Sequence, residues 1–396
     1  MRVIIAAAGT GGHINPAIAI ANKIKKEEPE SKIIFIGTNR GLETDLVPRA
    51  GYGLKTIESY GITRHINFEN IKRFAKTIHS ISQAQKIIKD FKPDIIIGTG
   101  GYICVSVMRA AQKEKIKYVI HESNVLPGIA TKLFAKKANK VLLGFEEAKK
   151  RLPKETNAVV TGTPTKIEKI DYTEEEIMQK KKEIGISANK KLVLIFGGSQ
   201  GAKSINEAVK NLIIKRENNK NKNTITTLTK DNEMNQLSLS SDSNYQIIWA
   251  IGNKQYDIIK NELKKNQIDI NDIEDVKCYP YIYNMQEIMN LSDIIVSRSG
   301  AMTITEIEKV GKGAIFIPYP YAAENHQEYN ARVLEEKGAA KVILDKDLNE
   351  NILQKMIEDL CNNEEKIKRM GEIALNLSIK NVEDKIYTEI RNVINN

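Results

Sequence analysis

Val3-Ile4-Ile5-Ala6-Ala7-Ala8, then Gly9-Thr10-Gly11-Gly12-His13, then Ile14-Asn15, is the passage on which the fold turns. Its first six residues are apolar on both faces, the pattern of a strand buried in a parallel sheet. The glycines permit a tight turn and close backbone approach, and Pro16–Lys26 reads as a helix. A helix N-terminus offers unpaired N–H groups and the positive end of the peptide dipole, so the turn suits an anion. It has neither the GxGxxG spacing of a dinucleotide fingerprint nor the lysine of a Walker loop. The passage recurs: Leu192–Phe196 leads to Gly197-Gly198-Ser199-Gln200-Gly201 and a helix with Ile205-Asn206, a loose internal duplication. Ser199 and Gln200 bring a hydroxyl and an amide that can donate to phosphate oxygens. A third cluster, Gly98-Thr99-Gly100-Gly101-Tyr102, follows the apolar run Ile95–Ile97.

Outward from these passages, Ile33–Ile36, Tyr118–Ile120, Val141–Leu143 and Val159–Val160 read as further strands of the first half, with a helix over Ile71–Lys89. The rhythm continues after Leu192–Phe196 through Thr224–Leu228, Gln246–Ile251, Val276–Tyr279, Ile294–Val296, Ala314–Ile317 and Lys341–Leu344. Gly162–Lys190 separates the halves and contains Pro164 and a charged helical run, Glu174–Glu183. Arg216–Asn223, Leu237–Asn244 and Asn261–Asp275 read as surface loops or helix ends. The expected fold class is α/β, with two Rossmann-like, doubly wound parallel-sheet domains over residues 1–163 and 164–396. The last helix is a candidate to pack back on the first domain. Tandem domains of this kind are expected to face a cleft, with ligands at the carboxyl ends of the strands.

The 396 residues are 41% hydrophobic and 28% charged, which fits a soluble globular chain of two or three domains. Cys104, Cys278 and Cys361 lie far apart with no CxxC spacing. A disulfide framework is therefore excluded, no metal knuckle is readable, and a reducing cytoplasm is expected. The longest uncharged stretch, Val3–Asn22, is broken by Gly9, Gly11, Gly12, His13, Asn15 and Pro16 and cannot form an apolar spanning helix. Val3–Ala8 is too short for a signal peptide. Lys and Arg total 60 against 50 Asp and Glu, a net charge of +10. Residues 1–165 hold 27 basic and 14 acidic residues, and the remainder 33 and 36, so the whole excess sits in the first part. That asymmetry points to an anionic partner: a membrane surface, a nucleic acid or a phosphorylated substrate. Aromatics do not interleave with these Lys and Arg residues as stacking platforms would, and no reader motif is present, so a nucleic acid is not expected.

Six motifs in one order resemble the MurG family, the N-acetylglucosaminyltransferases of bacterial cell-wall synthesis. They are GTGGH (9–13), GTGGY (98–102), HESN (121–124), GGSQGA (197–202), SRSGAMTITE (297–306) and NHQEYNA (325–331). The resemblance covers nearly the whole chain. It implies a GT-B fold and an inverting transfer of GlcNAc from UDP-GlcNAc to lipid I, undecaprenyl-pyrophosphoryl-MurNAc-pentapeptide. The MurNAc C4 hydroxyl would attack, giving lipid II for peptidoglycan synthesis and hence for cell shape and division. The implied partners are UDP-GlcNAc, lipid I and the cytoplasmic face of the cell membrane, with the protein peripheral there. No cofactor or metal is implied.

Carried over position by position, the resemblance places Thr10, Gly11, Gly12 and Asn124 at the donor-sugar side and Ser199 at the diphosphate. It places the Ile282 backbone at the uracil and Ala301, Met302, Thr303, Ile304, Thr305 and Glu306 around the nucleoside. An ionised Glu306 only accepts hydrogen bonds, which suits ribose hydroxyls, and Gln327 both donates and accepts, which suits the donor sugar. His326 is adjacent as a second sugar contact. Two positions depart from the family pattern. The GNPxR motif is Gly162-Thr163-Pro164-Thr165-Lys166, where Lys166 keeps the charge without arginine's planar fork. Ser123 stands where glutamine is common.

His13, the only histidine in a glycine loop, is the candidate general base for the acceptor hydroxyl. Its other reading is a hydrogen bond to a phosphate or to the loop backbone. Glu122 and Tyr102 are weaker candidates, and His65, His79 and His121 read as surface or core residues. Asp345-Lys346-Asp347 has the DxD form of metal–nucleotide sites but reads as carboxylates of a charged loop far from the donor motifs. Over Asn67–Phe91, Phe68, Ile71, Phe74, Ala75, Ile78 and Ile81 approximate one helical face beside Lys72, Arg73 and Lys76. That face is either interfacial on anionic lipid, with Thr131–Lys137 extending it, or packed into the core. Two rivals remain. One is a GT-B transferase acting on another lipid such as diacylglycerol. The other is a nucleotide-cofactor oxidoreductase, which needs an acid at the end of the second strand; Gly37-Thr38-Asn39-Arg40 supplies none.

Overall fold

A computed structural model describes residues 1–59, 68–198, 201–229 and 243–396, the side chains of 68–78 and 221–229 excepted. The chain forms two compact units, one of Met1–Lys166, Gly300–Thr305 and Ser378–Asn396, the other of Ile167–Ser299 and Glu306–Leu377. The first half runs β1 (Arg2–Ala7), α1 (Gly11–Glu27), β2 (Lys32–Gly37), α2 (Glu43–Arg49), β3 (Gly53–Thr56), α3 (Phe68–Phe91), β4 (Ile95–Gly100), α4 (Ile103–Lys113), β5 (Tyr118–Glu122), α5 (Ile129–Phe134), β6 (Lys140–Leu143) and β7 (Ala158–Val160). The second begins with α6 (Glu174–Glu183), β8 (Lys191–Phe196), α7 (Lys203–Thr229), β9 (Tyr245–Ala250), α8 (Asn253–Lys265), β10 (Val276–Tyr279), α9 (Met285–Leu291) and β11 (Ile294–Ser297). It ends with α10 (Ala301–Val310), β12 (Gly313–Phe316), α11 (His326–Lys337), β13 (Ala340–Val342), α12 (Glu350–Cys361), α13 (Glu364–Leu377) and α14 (Val382–Asn395).

Strand residues sort by parity, as a sheet covered on both faces requires. Val3, Ile5 and Ala7 of β1 pack with α1 and with Val382, Ile386, Ile390 and Val393 of α14. Ile4, Ala6 and Ala8 face the other way, onto Ala84 and Ile88 of α3, α4 and Phe134 of α5. In the second unit Val193 and Ile195 of β8 pack with α7, α8 and α12 around Trp249 of β9. Every described pairing is parallel, in the orders β3-β2-β1-β4-β5-β6-β7 and β10-β9-β8-β11-β12-β13. The order reverses between β1 and β4 and again between β8 and β11. Loops leaving adjacent strands there diverge and open a crevice at the carboxyl ends. The three glycine clusters follow β1, β4 and β8, so all three sit at these reversals.

Two sequence readings change, one strand went unread and one reading falls partly outside the described residues. Thr224–Leu228 is not a strand but the end of α7, which also takes in Arg216–Asn223. No Gly or Pro interrupts Lys203–Thr229, and β propensity is a weak prior against a helix already propagating. Helix α1 begins at Gly11, ahead of Pro16, because the extended Thr10 already serves as its cap. Strand β3 was not legible, being a four-residue edge with no buried side chain. The face proposed over Asn67–Phe91 falls partly outside the description: Asn67 lies beyond it, as do the side chains up to Ile78. Beyond that point Ile81 packs against the core, and Ala84 and Ile88 are buried in it.

Candidate active site

Thr10 is extended, makes no side-chain cap, and opens an α1 whose first turn holds no acid. The N–H groups of His13 and Ile14 both donate to its carbonyl, at 3.0 and 3.2 Å. The Gly11 and Gly12 N–H groups have no carbonyl four residues back and form the positive end of the helix. Thr10 and Gly12 are exposed and Gly11 half-buried. An acid-free end without a side-chain cap suits an anion. His13 leans from α1 onto β4. Ala6 pairs with Gly98 but Ala7 with Gly100, so Thr99 is the extra residue of a bulge. His13 Nδ1 lies 3.2 Å from the Thr99 carbonyl oxygen, and Thr99 Oγ1 donates to the His13 carbonyl at 2.8 Å. A carbonyl only accepts, so Nδ1 is the nitrogen that carries the hydrogen in this contact. A Cβ on Gly100 would stand 2.3 Å from Nδ1, so the close approach needs glycine there.

Glu122 at the end of β5 is buried with both oxygens engaged. Oε1 accepts from Asn124 N and Nδ2 at 3.0 and 3.2 Å, and Oε2 from Gly128 N and Thr131 Oγ1 at 2.9 and 2.7 Å. Four donors leave it poorly placed as a base; it holds half-buried Asn124 and the turn around it. His121 is buried, with Nε2 3.0 Å from the Gly162 carbonyl and Nδ1 3.3 Å from Ser123 Oγ. Burial holds its pKa below the ordinary histidine value. Tyr102 is exposed, as are His79 and Lys166, and His65 lies outside the described residues. Sequence reasoning missed Glu43. Its carboxylate, a few residues past β2, accepts from the Gly9 N–H, whereas the acid sought at the end of β2 would have had its oxygens free for ribose.

In the second unit Ser199 and Gln200 lie outside the described residues, and Gly198 and Gly201 beside them are described. Gly201 N donates to the Gly198 carbonyl at 2.9 Å, and Gly201 has φ +76°. A Cβ at Gly201 would meet the Ile251 carbonyl oxygen at 2.4 Å. Asn206, fully buried, donates to that carbonyl and to Gln255 Oε1 at 2.9 and 2.7 Å and accepts from Trp249 Nε1 at 3.1 Å. Arg298, after β11, ties four segments together. It donates to the carbonyls of Ile317 and Pro318 at 3.0 and 3.2 Å and to Ser204 Oγ at 2.8 Å. It ion-pairs with Asp345, and its guanidinium lies 5.5 Å from the Tyr319 ring centre. Asp345 also accepts from Ser204 Oγ at 2.6 Å, so this carboxylate of the DxD triplet is part of the scaffold. Ser299 Oγ donates to the Gln327 carbonyl at 2.8 Å, and Gln327 Oε1 accepts from Tyr319 N at 3.0 Å.

Gln327 and His326 are half-buried at the start of α11. Ile282 is buried between exposed Tyr281 and Tyr283, whose rings meet edge to face at 4.9 Å. On α10, Ala301 and Ile304 are buried, while Met302, Thr303, Thr305 and Glu306 are half-buried. The start of α7 and the segments after β11, β12 and β13 thus form one hydrogen-bonded piece. Asn206, Arg298 and Asp345 stand within stretches the sequence singles out, but their bracing roles have no local signal, since their partners are remote in the chain.

Two doubly wound parallel-sheet units with glycine loops at their strand reversals define a nucleotide-sugar transferase of the GT-B class. Residues 3–143 match the Glycosyltransferase family 28 N-terminal domain and residues 192–386 the Glycosyltransferase family 28 C-terminal domain. The chain belongs to the MurG family of this class, the UDP-N-acetylglucosamine--N-acetylmuramyl-(pentapeptide) pyrophosphoryl-undecaprenol N-acetylglucosamine transferases. It is 38% identical to the relative of that name from Acetivibrio thermocellus, with 100% of this chain and 99% of the relative covered. It is also 38% identical to the relative from Thermoanaerobacter sp., covering 99% and 100%. The crystal structure of Acinetobacter baumannii MurG superposes with a TM-score of 0.72 at 24% identity, covering 99% of both chains, a likeness of fold.

Proposed function

We propose that this enzyme moves GlcNAc from UDP-GlcNAc to the MurNAc C4 hydroxyl of lipid I, with inversion at the anomeric carbon, to give lipid II. Family membership over the full chain names the reaction. The observation that supports the chemistry is His13 Nδ1 held 3.2 Å from the Thr99 carbonyl at the bulge, which sets the ring beside the Thr10–Gly12 turn. His13 Nε2 takes the C4 hydroxyl proton as that oxygen bonds to C1 of GlcNAc. The C1–O bond to phosphate breaks, and its electron pair leaves with UDP. The Thr99 carbonyl, accepting from Nδ1–H, steadies the imidazolium that forms.

The donor is assigned to residues of the second half of the chain: uracil at the Ile282 backbone, ribose hydroxyls at Glu306 within the Ala301–Glu306 run, diphosphate at the Ser199 loop, and the sugar at Gln327. In the first unit Thr10, Gly11, Gly12 and Asn124 are assigned to substrate, with Lys166 as a point charge. A positive helix N-terminus facing growing negative charge stabilises a departing diphosphate.

The first unit is assigned to the cytoplasmic membrane face. Among the described residues no helix is long and apolar enough to cross a membrane. A shallow hollow of about 480 Å³ is lined by Arg109, Lys113, Lys115, Lys117 and Lys137 without an acid. Lys137 follows directly on α5, which exposes Ile129 and Leu133. Cations beside exposed apolar side chains suit an anionic lipid surface. UDP release with a lipid I analogue, compared with diacylglycerol, tests the reading: release with diacylglycerol alone would move the enzyme to the other acceptor.

A further inference from the structure

We propose that Glu43 is a positioning residue of the transfer reaction, setting the conformation of the first glycine loop by holding the Gly9 peptide. Glu43 opens α2 and has no solvent exposure. Its Oε2 accepts from Gly9 N at 2.9 Å, and its Oε1 accepts from Thr38 N and Thr38 Oγ1 at 2.9 and 2.6 Å. Leu42 N, one residue earlier, lies 3.4 Å from the Gly9 carbonyl oxygen. Both polar groups of Gly9 therefore face the segment between β2 and α2.

Space for the carboxylate comes from two glycines. A Cβ on Gly41 would lie 2.0 Å from Glu43 Oε2, and one on Gly37 would lie 2.7 Å from its Cγ. Burial disfavours the charged form, but hydrogen bonds from Thr38 and Gly9 outweigh it and keep the carboxyl below its ordinary value. The group is an ionised acceptor with no donor of its own.

This arrangement bears on the reaction because Gly9, at φ +97°, immediately precedes Thr10 and the uncapped N–H groups of α1. Rotation of the Gly9 peptide redirects Thr10 and the start of the helix that carries His13. The inference rests on the reading of Thr10–His13 as part of the reacting site. A glutamine at 43 cannot reproduce the arrangement. Its single oxygen can serve either Gly9 N–H or Thr38 N–H, and its NH2 then faces the other as donor to donor.

The test uses the full-length enzyme, Glu43→Gln and Gly41→Ala. The second variant keeps the acid and the fold's other contacts but displaces Oε2. Three quantities are read: hydrogen–deuterium exchange over residues 9–13, kcat with UDP-GlcNAc and a lipid I analogue, and UDP affinity by calorimetry. Both variants are expected to exchange faster at the loop and to lose about tenfold to a hundredfold in kcat, the cost of misplacing a reacting group. UDP affinity is expected to stay within about twofold, since the Glu43 carboxylate bonds to Gly9 and Thr38, neither of which is assigned to UDP. Wild-type kcat in both variants overturns the proposal. So does an equal loss of UDP affinity, which marks general damage. If the wild type transfers nothing while loop exchange still responds to Glu43→Gln, the assigned reaction fails and the anchoring of Gly9 stands.

Discussion

His121 is 1% exposed, and both of its ring nitrogens meet a neighbour. Burial pushes its pKa down, against the pull of the Gly162 carbonyl and the Glu122 charge. In the unfolded chain a histidine takes up its proton near about pH 6.5, and in the folded protein only at lower pH. Below about pH 6.5 the unfolded state therefore binds more protons, and stability falls as pH falls. His121→Gln removes that titration. The urea-midpoint advantage of wild type over this variant should shrink between about pH 7.5 and about pH 5.5. His13 gives the second prediction at this scale: His13→Ala should lower turnover about a hundredfold or more and leave UDP affinity unchanged in calorimetry. A third concerns the Arg298 network. Asp345→Asn weakens the ion pair between the segments after β11 and β13, which also holds Ser204 of α7, so the KM for UDP-GlcNAc should rise more than kcat falls. These residues differ in how readable they were. His13 sits inside a glycine turn and declares itself by its local neighbours. Glu43, Thr99 and Asp345 act through partners far along the chain, and no spacing rule connects Glu43 to Gly9.

At the scale of elements, apolar β-branched runs located β1, β2, β4, β5, β6 and β8 because strands covered on both faces have no polar side to interrupt the pattern. The same signal misread Thr224–Leu228, where a run of threonine, isoleucine and leucine continues α7. Edge strand β3 was silent because an edge has little to bury. Helix α14 shows how packing outranks sequence neighbourhood. Ile386 and Ile390 are 1% and 0% exposed in the core built on β1 and α1. Ile390→Ala leaves a cavity there and should cost about 2–5 kcal/mol of unfolding free energy, read by urea titration. Lys23 on α1 also pairs with Asp384 on α14, but that pair lies at the surface and its loss should be hard to detect.

For the molecule as a whole, the charge asymmetry of the sequence becomes a place. Part of the basic excess of residues 1–165 collects in the hollow beneath Arg109, Lys113, Lys115, Lys117 and Lys137. The residues are spread over α4, the connection from α4 to β5 and the turn after α5, so only the fold assembles them. Co-sedimentation with phosphatidylglycerol vesicles should weaken about fivefold for each of Lys113→Gln and Lys137→Gln, from about 1 kcal/mol per cation. It should weaken further as salt is raised, and transfer to a soluble lipid I analogue should be unchanged. The two-unit α/β organisation and the places of the glycine loops were open to reading from periodicity alone. Ser378–Asn396 joins the first unit, where the last helix was a candidate to pack; amphipathic spacing by itself says that a helix must be covered but not by what.

That joining has a consequence for biosynthesis. A ribosome releases β1 and α1 first and α14 long afterwards, with the whole second unit in between. At about 5–20 residues per second, the nascent first unit waits on the order of ten seconds or more with one flank of its sheet uncovered. During that interval the bare flank is a natural target for chaperones, and a message cut short before Ser378 would make a protein unable to finish the very first domain it began.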